Sequence, residues 1–176
     1  MPLEHLWATW RAAYVGQVAD SRTLPTPEDA QGRSLFERIL AGADEEGDEA
    51  AGVLWRGEHC FALLNLYPYT AGHLMVLPRR AVAELEALTP DEHAELWQGV
   101  TDAVVALKAA LSCDAVNVGV NLGGAAGGSQ SDHLHVHCVP RWEGDANFIA
   151  VAAETRVLPI SLTEAGERIR AAWPAS

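Results

Sequence analysis

Hydrophobic residues recur with the spacing of an amphipathic helix in three stretches of the chain. They lie within residues 3–18, in the stretch that begins at Thr89-Pro90-Asp91-Glu92 and runs to about Ser112, and between Ile160 and Trp173. The central stretch opens with an N-cap threonine, a proline at the first helical position and a glutamate that completes a capping box. The pattern therefore predicts three helices, and the segment from Ser34 to Leu40 predicts a shorter one.

Shorter apolar runs between these helices are typical of β-strands. We expect strands at Val53–Trp55, Cys60–Asn65, His73–Pro78, Ala115–Asn121 and Asp132–Pro140. The first two flank a hairpin turn at Arg56-Gly57-Glu58, and the acidic segment 42–52 is interpreted as a solvated surface loop. Strands joined by short turns favour an antiparallel sheet with helices on one side, which is an α+β fold.

Three histidines alternate with two branched apolar residues at His133-Leu134-His135-Val136-His137. On a strand, this period of two puts the three imidazoles on one face and turns Leu134 and Val136 toward a core. A row of titratable rings contributes little to packing, so the pattern predicts chemistry. Spacing alone supports a metal site and a nucleophilic imidazole with two helpers equally, although a closed metal shell needs a fourth ligand from elsewhere.

A glycine-rich segment, predicted as a loop over residues 122–131, comes directly before these histidines. It contains four glycines, and Ser129 follows the last of them. Glycines allow backbone N–H groups to approach an anion, and a serine hydroxyl adds a further donor. Phosphoryl transfer depends mainly on positioning and charge stabilisation, so the loop and the imidazoles together favour a phosphoryl-transfer site. A flexible hairpin loop is the alternative interpretation.

Composition restricts the partners of such a site. The formal charge of −12 argues against nucleic acid or an anionic membrane as a partner, and no apolar stretch is long enough to span a bilayer. The scattered cysteines Cys60, Cys113 and Cys138 are typical of buried thiols in a reducing cytoplasm. The N-terminal residues lack a signal-peptide pattern. We expect a single cytoplasmic domain over residues 1–176.

The segment His133–Val139 resembles the His-φ-His-φ-His-φ-φ signature of the histidine triad (HIT) superfamily of nucleotide hydrolases and transferases, where φ is apolar. Two upstream segments are also similar to family motifs. Leu63-Leu64-Asn65, followed by Pro68, resembles a ribose-binding strand, and Gly72–Val76 resembles the Gly-His strand. By this resemblance the chain is identified as a member of this superfamily.

The residues after the triad resemble one branch of the superfamily. Residues 140–142 and 144–148 are similar to the fragile-histidine-triad hydrolases and, more closely, to the bacterial diadenosine tetraphosphate phosphorylases. The resemblance covers about residues 50–150. It leaves an N-terminal extension of about residues 1–45 outside, which would cover the site, build an oligomer or pack as a helix.

The resemblance implies a role for each candidate catalytic residue. His135 would be the nucleophile that attacks the α-phosphorus. His137 would hydrogen-bond the phosphate oxygens, and His133 would orient the triad or help to protonate the leaving oxygen. Asn65 would bind ribose hydroxyls, and His73 would support the site from the adjacent strand.

The resemblance also implies phosphate contacts from Asn121, Gly128 and Ser129. Many family members carry glutamine followed by serine or threonine just before the triad. This chain has Gly128-Ser129-Gln130-Ser131 there. Either Ser129 or Gln130 would therefore take the usual role of the glutamine.

The implied fold is a five-stranded antiparallel sheet with two main helices, an N-terminal helical extension and a C-terminal helix. The implied assembly is a homodimer or a higher homo-oligomer. The implied reaction is phosphorolysis of diadenosine tetraphosphate through a nucleotidyl-histidine, with ATP leaving first and inorganic phosphate then releasing ADP. Neither a cofactor nor a metal site is expected, although a divalent cation such as Mg²⁺ could bind with the substrate.

Several alternatives remain open from the sequence. Water could replace phosphate as the acceptor, which would make the protein a hydrolase that releases AMP. A nucleoside phosphoramidase would use the same scaffold. A nucleotide-binding or sensing module and a zinc protein are the alternatives from other functional classes.

Overall fold

The computed structural model describes residues 32–127, 130–145 and 158–175. In these ranges the elements are α1 (Leu35–Glu46), α2 (Asp48–Ala51), β1 (Val53–Arg56), β2 (Cys60–Leu64), β3 (Leu74–Pro78), α3 (Pro90–Leu111), β4 (Ala115–Val120), β5 (Val136–Arg141) and α4 (Leu162–Ala172), with short 3-10 turns at Leu85–Ala87 and Gly124–Ala126. The helix predicted over residues 3–18 lies outside the described residues. No helix in the described part of the chain has both the length and the apolar character that crossing a bilayer requires.

The five strands form one sheet in the order β1-β2-β3-β5-β4, and every neighbouring pair is antiparallel. The predicted antiparallel α+β fold is therefore confirmed, as is the hairpin between β1 and β2. Strands β1 and β4 are the two edges. The strand that carries the end of the histidine motif, β5, is interior and pairs with β3 on one side and β4 on the other.

Helices cover both faces of this sheet, so the expectation of helices on one side is wrong. Every residue of β2 and of β3 is buried, and a strand that is apolar on both faces needs a covering layer on each. One face packs against α3 and α4 through Leu96, Leu107 and Ile169. The other face packs against α1 through Phe36 and Leu40.

The acidic segment 42–52 is largely helical and not the surface loop that its composition predicts. Helix α1 runs past Leu40 to Glu46 because Ala43 continues the buried stripe of Phe36 and Leu40 at helical spacing. The acidic side chains lie on the outer surface. Among them, Asp44 and Asp48 both pair with Arg56 of β1.

The histidine segment enters the sheet later than the predicted strand at Asp132–Pro140. Strand β5 begins at Val136, so His133 and His135 precede it. The Leu134 N–H donates to the Val82 carbonyl at 2.6 Å, which takes this residue out of the sheet ladder. The side chains of Leu134 and Val136 nevertheless both reach the core on the α3 side, as the alternation predicts.

The sequence signal at the start of α3 is confirmed. Thr89 is the N-cap, its capping box with Glu92 is complete, and Pro90 is the first helical residue. One turn later, the Glu95 carboxylate accepts the backbone N–H groups of three consecutive residues, Glu58 and His59 of the β1–β2 turn and Cys60 at the start of β2. The central helix is thereby attached to the hairpin at the sheet edge.

We expect Glu95→Ala to lower the free energy of unfolding by about 1–3 kcal/mol, because three N–H groups at the turn lose their acceptor. Glu95→Gln retains one acceptor oxygen and should cost less. Urea denaturation followed by circular dichroism measures both. Glu167→Ala, at an exposed position of α4, is the matched control, and equal stabilities for the Glu95 and Glu167 alanine variants would contradict the prediction.

Candidate active site

His133 is buried, with 1% of its surface exposed, and both of its ring nitrogens have partners. Nε2 lies 2.8 Å from the carbonyl oxygen of Pro78, and Nδ1 lies 2.7 Å from the hydroxyl of Ser34. A carbonyl only accepts, so Nε2 carries the proton and Nδ1 accepts from the hydroxyl. Burial lowers the pKa of His133, which keeps the ring neutral.

His135 is oriented by the backbone of His133. Its Nδ1 lies 2.8 Å from the His133 carbonyl oxygen, so Nδ1 carries the proton and donates it to that oxygen. In a neutral imidazole the other nitrogen then has a free lone pair. The Nε2 atom of His135 has no hydrogen-bond partner among residues 32–127, 130–145 and 158–175, and it is the nitrogen available to attack an electrophile.

His137 is oriented by a chain of bonds that begins at the loop after β2. The backbone N–H of Tyr69 donates to His73 Nδ1 at 3.1 Å, which places the proton of His73 on Nε2. His73 Nε2 lies 3.0 Å from His137 Nδ1 and donates to it. Burial, assisted by the nearby His135, lowers the pKa of His137 to about 4, so the ring is neutral and carries its proton on Nε2.

The rings of His135 and His137 are therefore complementary. His135 offers a lone pair at Nε2, and His137 offers an N–H donor at the same ring position. Their ring centroids lie 4.9 Å apart, at an interplanar angle of 81°. Such a pair can attack a phosphorus atom and at the same time hydrogen-bond an oxygen on that phosphorus.

Two aromatic side chains hold these rings in place. Phe36 of α1 lies with its ring centroid 5.3 Å from those of both His133 and His135. Tyr69 stacks on His137 at 6.1 Å and contacts His73 at 4.6 Å. The imidazoles are thus packed against apolar surfaces as well as hydrogen-bonded, which restricts their rotation.

The other predicted site residues are placed as follows. His73 is fully buried with both nitrogens engaged, so it supports His137 and is not placed to contact a substrate directly. Asn65 is half-buried, and its side-chain oxygen Oδ1 accepts the backbone N–H of Tyr67 at 3.0 Å. Its amide nitrogen lies 3.4 Å from His73 Nδ1. Asn65 thus borders the triad through His73.

The phosphate-loop residues are described in part. Asn121 directly follows the Val120–Val136 pair of strands β4 and β5, which places it beside the start of the β5 strand. Gln130 is half-buried. Gly128 and Ser129 lie outside the described residues, so the choice between Ser129 and Gln130 for the glutamine role stays a prediction.

Sequence reasoning missed the contacts that Ser34 and Phe36 make with the histidines. The spacing of Ser34 and Glu37 is a capping-box signal and could have located the start of α1. No local signal reports that the Ser34 hydroxyl reaches a histidine 99 positions away.

The described cysteines and charged side chains do not add a metal site to these histidines. Cys60 and Cys138 are buried, free thiols, as predicted, and burial raises the pKa of each to about 12. Arg141 pairs with Asp145, which is the ordinary salt bridge that such a residue makes. Within the described ranges, no three His, Cys, Asp or Glu side chains are grouped so that they could hold a metal ion.

Comparison with known proteins identifies relatives over most of the chain. The model of the HIT domain matches residues 46–144. The AP-4-A phosphorylase of Mycobacterium tuberculosis is 42% identical over 171 residues, which are 97% of this chain and 85% of that protein. The asymmetrical bis(5'-nucleosyl)-tetraphosphatase of Schizosaccharomyces pombe is 36% identical over 93 residues, 53% of this chain and 50% of that protein.

A solved structure agrees with the fold. A zinc-bound histidine triad family protein from Mycobacterium smegmatis superposes with a TM-score of 0.63 at 28% identity, over 79% of this chain and 91% of that one. The five-stranded antiparallel sheet with helices is therefore the fold of a histidine triad protein.

The buried histidines make stability depend on pH. The pKa of His137 is lowered to about 4 and that of His133 is also lowered, whereas an unfolded histidine has a pKa of about 6.5. Between these values the unfolded chain binds more protons than the folded one, so stability is full above about pH 6.5 and falls as pH drops toward 4. In this interval the titration of His137 alone changes the free energy of unfolding by at most about 1.4 kcal/mol per pH unit.

Replacing His137 with asparagine isolates this effect, because the amide does not titrate. We expect the free energy of unfolding of His137→Asn to fall less steeply than that of the unmodified protein between pH 6.5 and 4. Urea titrations at fixed ionic strength across this interval provide the two curves. A difference between the curves that stays constant with pH would show that His137 binds no extra proton on unfolding.

Proposed function

The chain belongs to the HIT domain family, and from that membership we propose that it is an enzyme that cleaves diadenosine tetraphosphate by phosphorolysis. The products are ATP and ADP. The observation that carries the proposal is the complementary protonation of His135 and His137, with a lone pair on one Nε2 and an N–H on the other. The similarity to the M. tuberculosis AP-4-A phosphorylase over nearly the whole chain supports the choice of substrate and acceptor.

In the first step, the Nε2 lone pair of His135 attacks the α-phosphorus of the substrate. A bond forms between nitrogen and phosphorus, and the bond from that phosphorus to the bridging oxygen breaks, so its electron pair leaves with ATP. His137 Nε2–H donates to a non-bridging oxygen on which negative charge increases. A phosphate monoester has a second pKa near 6, so ATP needs no proton from the protein.

The bond from His135 Nδ1–H to the His133 carbonyl stabilises the intermediate. Once Nε2 is bonded to phosphorus, the imidazole ring is positively charged, and its N–H becomes a stronger donor to that carbonyl oxygen. In the second step, an oxygen of inorganic phosphate attacks the same phosphorus. The nitrogen–phosphorus bond breaks, its electrons return to His135 as a lone pair, and ADP leaves.

Substrate binding is proposed for the residues around this pair. Asn65 would bind ribose hydroxyls, since it is half-buried beside His73. Asn121, Gly128 and Ser129 would bind the phosphates with backbone and side-chain donors, and Gln130 shares this role. No resident cofactor is part of the proposal, and a cation such as Mg²⁺ would enter bound to the polyphosphate.

A homodimer is proposed as the working unit. Edge strand β4 has an unpaired side in the described chain, and four of its six residues are exposed, including Val118 at 43%. Leu122, just beyond the strand, is 40% exposed. An apolar, exposed edge strand is suited to pairing with a second copy of itself.

The reaction is tested by incubating the protein with diadenosine tetraphosphate, with and without inorganic phosphate, and separating the nucleotides. We expect ATP and ADP in equal amounts when phosphate is present, and at most one equivalent of ATP per chain when it is absent. AMP released continuously without phosphate would instead establish a hydrolase, the activity that the name of the S. pombe relative describes.

The nucleophile is tested in the same assay. His135→Ala should lose turnover by several orders of magnitude, because the lone pair that forms the intermediate is gone. Acid quenching of the unmodified protein with labelled substrate should recover label bound to the chain. Binding of nucleotide without turnover by the unmodified protein would favour a sensing module and would refute the enzyme proposal.

The dimer is tested by sedimentation equilibrium. The unmodified protein should have twice the chain mass of 18.9 kDa. Val118→Lys places a charge on the exposed face of β4 and should shift the population toward the monomer, because a buried unpaired charge opposes association. A monomer mass for the unmodified protein would contradict the proposed assembly.

A further inference from the structure

The N-cap serine of α1 contacts the triad although it lies outside the segment that the HIT-domain model matches. That model begins at residue 46, whereas Ser34 precedes the first turn of α1. The Ser34 hydroxyl lies 2.7 Å from His133 Nδ1, and Ser34 is itself 7% exposed. We propose that Ser34 is a positioning residue, which sets the orientation of the nucleophile His135 through His133. This inference rests on the proposed function for the identity of the nucleophile.

The proton of the Ser34 hydroxyl has a determined direction. The Glu37 backbone N–H donates to the Ser34 oxygen at 3.2 Å, as in any N-cap of this type. His133 Nε2 donates to the Pro78 carbonyl, so Nδ1 can only accept. The hydroxyl therefore donates to His133 while it caps the helix, and one side chain performs both tasks.

Through His133 this contact reaches the reacting nitrogen. The side chain of His133 is held between Ser34 and Pro78, and its backbone carbonyl accepts from His135 Nδ1 at 2.8 Å. The position of that carbonyl depends on how the His133 residue is anchored. If the His133 backbone shifts when its side chain loses this anchor, the proton of His135 loses its acceptor and the ring can adopt the tautomer that has no lone pair at Nε2.

The N-terminus of α1 is attached to the strand side of the site by a second contact. The Glu37 carboxylate accepts the Ser34 N–H at 2.8 Å and the Ala81 N–H at 2.9 Å. The Ala81 backbone continues into Val82, whose carbonyl accepts from Leu134. The serine is thus held at one place relative to the histidine segment, which a positioning role requires.

A structural role as a helix cap is the alternative, and the chain offers a matched control. Thr89 caps α3 with the same capping box and the same 3.2 Å distance to the N–H three residues on. Its side chain has no contact with the triad in the described residues. Ser34→Gly and Thr89→Gly remove the same kind of cap, and glycine at an N-cap costs little stability.

The test measures kcat and KM for diadenosine tetraphosphate in Ser34→Gly, Ser34→Thr and Thr89→Gly, together with their stability in urea. We expect Ser34→Gly to lower kcat about tenfold with a smaller change in KM, because His135 would then be mostly in the tautomer that has no lone pair at Nε2. Ser34→Thr keeps the hydroxyl and should recover most of kcat. Thr89→Gly should leave kcat unchanged.

Long-range ¹H–¹⁵N spectra of the histidine rings test the same proposal without turnover. The unmodified protein should show His133 protonated at Nε2 and His135 protonated at Nδ1. In Ser34→Gly, a mixture of tautomers should appear at both rings, and Ser34→Thr should restore the original signals. This readout distinguishes the two proposals, since it remains informative if the protein does not cleave the substrate.

Two results would overturn the inference. Unchanged kcat and unchanged ring signals in Ser34→Gly would mean that the hydroxyl does not position the triad. Equal losses of kcat in Ser34→Gly and Thr89→Gly would assign the effect to helix capping in general. If Ser34→Gly does not fold, the ring signals of Ser34→Ala and Ser34→Thr give the same comparison.

Discussion

Two backbone carbonyl oxygens, those of Pro78 and His133, determine where the protons of His133 and His135 lie. Each accepts from one imidazole nitrogen, at 2.8 Å in both cases. A carbonyl cannot donate, so in a neutral imidazole the opposite nitrogen of each ring is left without a proton. The nucleophilic lone pair of His135 therefore follows from the backbone of the neighbouring histidine and does not depend on a separate general base.

The hydrogen bonds fix which nitrogen of each ring carries the proton, and burial of the rings disfavours a second proton. Desolvation lowers the pKa of His133 and of His137, so both rings remain neutral at the pH of a cell. A positively charged ring beside His135 would make the lone pair of the attacking nitrogen less nucleophilic. Burying these two imidazoles lowers the stability of the fold at mildly acidic pH, while each hydrogen bond offsets part of the desolvation.

The sequence predicts the parts of this molecule whose signals are local. The capping box at Thr89, the β1–β2 hairpin and the histidine motif are each readable within a few residues, and the family signature adds the functional class. The length of α1 was missed, because its acidic outer face dominates the composition of residues 42–52 while its buried stripe at that end is a single small residue, Ala43.

The protonation pattern of the triad is a property of the folded chain. His133 takes its partners from residues 55 and 99 positions away, and His137 takes its partner from a histidine 64 positions away. A period of two along the strand specifies which face the rings share, but not which nitrogen is protonated. Which nitrogen is protonated is determined only when α1, His73 and β3 pack against this segment in the folded chain.

The same protonation pattern bears on the acceptor of the second step. Water must lose a proton as it attacks, whereas a phosphate dianion brings its own charge and needs no base. Once His135 is bonded to phosphorus, the histidines of the triad offer no free unprotonated nitrogen: both nitrogens of His133 are engaged, and His137 accepts from His73 at Nδ1 and carries a proton at Nε2. The arrangement therefore favours an acceptor that is already anionic, in agreement with the proposed use of inorganic phosphate.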